Sequence, residues 1–160
     1  MVLDPETRLE AGGGHQNLIN KKMAEDYLAD SASILSEAKA AKDMGRHHRA
    51  IRLSQESLEL TLKAILRSVG VEYPKEHDVS DAIQENLDKF PDWFRSVTLK
   101  LEEGSTWLME RRGASMYGDE IAGKPASQLF TVEDSAKAVE YADRAVQVAR
   151  RLFDEMFHTA

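Results

Sequence analysis

The sequence predicts an all-α fold, an antiparallel four-helix bundle with an additional short helix. Two patterns point there. Apolar and small residues recur every three or four positions through four long segments, and no segment alternates apolar with polar as a half-buried strand would. The interruptions fall at glycine and proline, which stop helices and open turns. A chain of 160 residues is of single-domain size and buries about 70% of its extended-chain surface on folding. One hydrophobic core is therefore expected.

Taken in order, residues 1–20, MVLDPETRLEAGGGHQNLIN, hold a triple glycine and no sustained apolar period. They predict a flexible N-terminal arm ahead of a single helical-bundle domain over 21–160. From Lys21 to about Met44 the residues Met23, Tyr27, Ile34, Leu35, Ala38 and Ala41 form one stripe, and Gly45 breaks the helix. The second helix, about Arg46 to Val69, sets Ala50, Ile51, Ser54, Leu58, Leu62, Ile65, Leu66 and Val69 on one face. Gly70 follows where a left-handed cap is wanted. A shorter helix from near Val79 to Leu87 has Asp78 to accept from its first amides. Pro91 fits the first turn of the next helix, which carries Trp93, Phe94, Val97, Leu101, Leu108 and Met109 inward and ends at Gly113. Residues 113–130, GASMYGDEIAGKPASQLF, make a connection longer than the roughly 2–8 residues usual between bundle helices. Thr131 and Asp134 then resemble a capping box with the shorter acid, opening a last helix through Val139, Ala142, Val146, Ala149, Leu152, Phe153 and Met156.

Composition excludes several function classes. There is no cysteine, which removes disulfides, thiolate metal sites and cysteine nucleophiles together and fits a reducing, cytoplasmic setting. No stretch approaches the roughly 20 apolar residues that span a bilayer. The formal charge of −7 disfavours wrapping nucleic acid without regard to sequence, since that needs a surplus of Lys and Arg, and leaves room only for a local basic patch.

An ordered set of residues then carries a family resemblance: Gly45 before a helix start of small residues, Ser54-Gln55 leading to Leu62-Lys63-Ala64, Gly70 and Pro74, and His77-Asp78. An Arg precedes a Gly/Tyr/Asp loop in RRGASMYGD, and the last helix opens with Glu133-Asp134 and then Ala136. In this order the residues resemble a HEPN domain over about residues 24–155. The resemblance implies a bundle of four to five helices, frequently a homodimer, often encoded beside a small nucleotidyltransferase in prokaryotic toxin–antitoxin pairs. Some relatives are metal-independent ribonucleases whose site is an Arg, four to six intervening residues and a His. Others lack that pair and bind without cutting.

Four places have the residue types for chemistry. Arg151 and His158, in RLFDEMFH, meet the Arg-to-His spacing, although a spacing this loose arises about once by accident in such a composition. Arg46, His47, His48, Arg49 and Arg52 crowd the second helix start, where free amides add to the attraction for an anion. Adjacent histidines point about 100° apart on a helix, so no shared metal is expected. Arg111 and Arg112 flank the long loop with Tyr117 and Asp119, where a guanidinium fork suits phosphate and an aromatic ring covers a base. His77 stands at a helix entrance, with a pKa near neutrality and no evident partner.

The expectation is a binding or protein-interaction module for a nucleotide or RNA, homodimeric and possessing no cofactor or metal. It would bind through Arg111, Arg112, Tyr117, Asp119, Lys63 and His77 and dock with a nucleotidyltransferase. The alternatives are a ribonuclease toxin using Arg151 and His158, or His77 with Arg111 or Arg112, and a purely structural helical subunit.

Overall fold

A computed structural model describes residues 5–72 and 78–158. Within them five α-helices follow one another: α1 Pro5–Asp43, α2 His47–Ser68, α3 Val79–Glu85, α4 Asp92–Tyr117 and α5 Val132–Phe157, with short 3-10 turns at Leu87–Lys89 and Ala126–Gln128. No strand occurs among the described residues; Asp119 and Lys124 form an isolated antiparallel bridge. The all-α bundle of four long helices and one short one is the observed architecture. His77 and Pro74 lie outside the described residues.

Helix α2 is central and packs against α1, α4 and α5. Its residues are accordingly buried on more than one side: Ile51, Leu58, Leu62, Ile65 and Leu66 enter the core, and so do the small or polar Ser54, Gln55, Ser57, Thr61 and Ala64. The seam with α1 is built from small residues. Ser31 donates to the Ser57 carbonyl (3.0 Å) and Ser57 donates back to the Ser31 carbonyl (2.9 Å), so two helix backbones approach closely with their hydroxyls satisfied. Thr61 completes this buried cluster against Ser31.

The α1 stripe differs from the expected one. Ala24, Leu28, Ser31, Leu35, Ala38 and Ala41 are buried, whereas Met23, Tyr27 and Ile34 flank the seam half-exposed. Side-chain size misleads here, because close backbone approach selects alanine and serine over larger residues. The arm expected over residues 1–20 is helical from Pro5 and continuous with α1. Glycine costs a helix only about 1 kcal/mol relative to alanine, so Gly12, Gly13 and Gly14 do not stop elongation from the packed part of α1. Asn20 is already buried, with its Nδ2 3.1 Å from where a Cβ on Gly70 would stand.

The helix stops follow local chemistry. Gly45 (φ 74°) and Gly70 (φ 76°) adopt the left-handed conformation expected of them. Asp78 caps α3, accepting from Ser80 N at 2.9 Å, but α3 ends at Glu85 rather than Leu87. Pro91 is the N-cap of α4 rather than in its first turn. Helix α4 does not end at Gly113. It runs on to Tyr117 because Ser115, fully buried, still faces the core, and Gly118 (φ 73°) makes the turn. Thr131 and Asp134 form a complete capping box at α5.

Candidate functional site at one end of the bundle

Antiparallel topology brings the starts of α2 and α5 to the end of the bundle where α1 and α4 finish. A side-chain bond shows how close the starts are. His47 Nδ1 lies 2.8 Å from Ser135 Oγ, and the Ser135 hydroxyl donates to the Val132 carbonyl at 3.0 Å. The two side chains share a hydrogen bond across the gap between the helix starts.

The start of α2 is strongly electropositive. No side chain caps its first amides, and no acidic residue lies in its first turn. Arg49 and Arg52 are three residues apart and His48 precedes Arg52 by four, spacings that put the three on neighbouring parts of one helix surface. Among the described residues, Arg46, Arg49 and Arg52 make no ion pair. Burial first, then Arg46, Arg52, Arg49 and His47, push the His48 pKa below its ordinary value of 6.5. A proton on His48 is opposed by the guanidinium groups of Arg46, Arg52 and Arg49, which is the condition under which an anion would be welcomed.

The other predicted residues do not converge on this corner. Arg111 lies over Trp107, its guanidinium carbon 3.9 Å from the ring centroid, and donates to the Trp107 carbonyl at 2.9 Å. Arg112 turns the other way, toward Glu59 of α2 at 4.0 Å. The two guanidinium groups therefore face different neighbours. Asp119 Oδ1 accepts from Ala122 N at 3.0 Å, within a turn closed by reciprocal backbone bonds with Lys124, so its carboxylate shapes the loop. Tyr117 is exposed beside that loop. Lys63, half-buried on α2, is 16 residues beyond His47, about 24 Å along the helix.

Arg151 and His158 have separate engagements near the opposite end. Arg151 lies 3.8 Å from the Trp93 ring centroid and pairs with Glu155 at 3.3 Å, while His158 faces Glu25 of α1 at 3.7 Å. The two side chains therefore do not meet, each being engaged with a different neighbour. Among the described residues, no group of three or more His, Asp or Glu side chains is placed to hold a metal ion, and no helix is long and apolar enough to cross a membrane.

The match with known families rests on the bundle as a whole. A family model described as HEPN domain matches residues 24–155. The chain belongs to the HEPN family. The match begins at Ala24, the first buried alanine of the α1 seam, and ends at Glu155 in the last turns of α5, so it takes in the second half of α1 and nearly all of the rest of the bundle. No curated protein and no solved structure matches the chain. The basic run GRHHRAIR was visible in the HEPN sequence, but Ser135, which orients His47, carried no signal there because the two residues are 88 positions apart.

Proposed function

We propose that this HEPN domain is a nucleotide- or RNA-binding module that holds a phosphate group at the start of α2. The observation that carries the reading is the cluster of Arg46, Arg49 and Arg52, without carboxylate partners among the described residues, around a helix start with no side-chain cap. Guanidinium forks and oriented amides both favour phosphate. The module binds without cutting, since Arg151 and His158 are engaged with different neighbours. A homodimer, and pairing with a small nucleotidyltransferase in a toxin–antitoxin system, belong to the same proposal on the strength of the family.

The test is titration of the purified protein with ATP, GTP and a short 5′-phosphorylated RNA. Binding should weaken with added salt and fall by about tenfold, or 1.4 kcal/mol, in the Arg49→Ala/Arg52→Ala variant. The RNA should remain intact without added metal. No binding of any of the three, or undiminished binding by the variant, would remove the site; metal-free cleavage lost in His158→Ala would favour the ribonuclease reading.

A further inference from the structure

Away from the basic corner, an open groove of about 490 Å³ runs between α4 and α5. Its floor is built by close packing. A Cβ on Gly104 would stand 2.8 Å from Tyr141 Cδ1, so the glycine lets α4 rest on the tyrosine ring. One turn on, Trp107 meets Tyr141 with ring centroids 5.8 Å apart. Leu99, 73% exposed, stands at the mouth.

The rim on the α4 side is acidic. Glu102, Glu103 and Glu110 line the groove with Lys137, and the Arg111 guanidinium stands 3.9 Å from the centroid of the Trp107 ring. The Lys137 ammonium is placed over both aromatic rings, 5.2 Å from the Trp107 centroid and 5.8 Å from that of Tyr141. Glu103 pairs with Lys100 at 3.5 Å and Glu110 with Arg111 at 3.6 Å, both partly exposed. Glu102 has no ion pair among the described residues. Aromatic faces and carboxylates together attract cations, and the carboxylates repel phosphate, so this surface has the opposite preference to the start of α2.

We infer that the α4/α5 groove docks a basic amphipathic segment of a partner protein. An apolar side chain of that segment seats between Leu99 and Trp107, and its Lys or Arg side chains meet Glu102 and Glu110. Lys137 already shows how an ammonium sits on the Trp107 and Tyr141 rings; an incoming cation takes its place there. The open groove and its mixed apolar and acidic lining suit a helical segment, which presents apolar and basic residues on adjacent faces. The inference does not depend on phosphate binding, because no residue is shared between the two sites.

Trp107 supplies the readout. The chain has two tryptophans, so Trp93→Phe leaves Trp107 as the sole reporter. The probes are a synthetic helical peptide with leucine on one face and lysine on the other, and its leucine/glutamate counterpart. The basic peptide should shift Trp107 emission saturably and the acidic one should not. Glu102→Lys/Glu110→Lys should weaken binding by about tenfold, whereas reversing the exposed Glu85 on α3 should leave it unchanged. Circular dichroism confirms that each variant is folded. Absence of an emission shift, equal binding of both peptides, or equal loss with Glu85→Lys would overturn the inference. So would an emission change on concentrating the protein alone, which would assign the groove to a second copy, or one on adding short RNA.

Discussion

His47 Nδ1 and Ser135 Oγ share a hydrogen bond of 2.8 Å, and this bond ties the start of α2 to the start of α5. It fixes the direction in which the basic corner faces. Ser135→Ala removes the partner of His47 and is expected to cost about 0.5–1.5 kcal/mol of stability, measured by urea denaturation. His47→Ala should cost a similar amount, and the double variant should cost less than the sum of the two because they lose one shared bond. Strict additivity would show that the bond contributes nothing to folding.

Two glycines near the end of α4 should respond in opposite directions. A Cβ at Gly118 would lie 2.4 Å from the Lys124 carbonyl oxygen, and the residue is left-handed at φ 73°. Gly118→Ala should therefore destabilise by more than about 1 kcal/mol and disturb the Asp119–Lys124 turn. Gly113 is helical and has open space where a Cβ would go. Gly113→Ala should stabilise by up to about 1 kcal/mol. Thermal denaturation of the two variants side by side checks both signs.

The His48 pKa is held below 6.5 by burial and then by Arg46, Arg52, Arg49 and His47. The unfolded chain consequently binds the proton more readily. The stability contributed by His48 is full above about pH 6.5 and is lost as pH falls through the lower folded value. A bound anion should reverse part of the shift by offsetting the surrounding cations. Titration of the His48 ring protons by NMR should show the pKa rising when sodium sulfate is compared with sodium chloride at equal ionic strength. Arg49→Ala/Arg52→Ala should abolish that rise; an unchanged rise would place the anion elsewhere.

The α1–α2 seam should tolerate loss better than gain of volume. Ser57 is fully buried and bonded to Ser31 across the seam, so Ser57→Leu forces the helices apart. The expected cost is about 1–3 kcal/mol or more from overpacking. Ser57→Ala, which removes only the hydroxyl and its bond, should cost about 1 kcal/mol. Chemical denaturation of both variants distinguishes a close seam from a loose one, for which the order would invert.

The α2 core face, the Thr131–Asp134 box and the turns at Gly45 and Gly70 were legible in the residues themselves. Each depends on spacing or chemistry confined to a few neighbouring positions. The α1 seam was harder to read, because Ala24 and Ser31 are buried for their smallness and hydropathy alone points to Met23 and Ile34. The end of α4 was misplaced for a related reason: Gly113 resembles a stop, but buried Ser115 keeps the helix going. Among the candidate sites, the basic run at the start of α2 was plain in the sequence, whereas the separate engagements of Arg111 and Arg112 were not, since successive residues on a helix face different neighbours.

By itself, then, the sequence determined the helical class, the approximate bounds of α2 to α5 and the HEPN resemblance, because periodicity, capping and glycine conformation act within a turn or two of chain. Only the tertiary structure decided which charged groups stand alone and which are engaged. Arg111 over Trp107, Arg151 over Trp93, His47 on Ser135 and Lys137 above two rings are settled by which helix packs beside which. Those neighbours are set by the summed burial of all four long helices, and no local pattern encodes them.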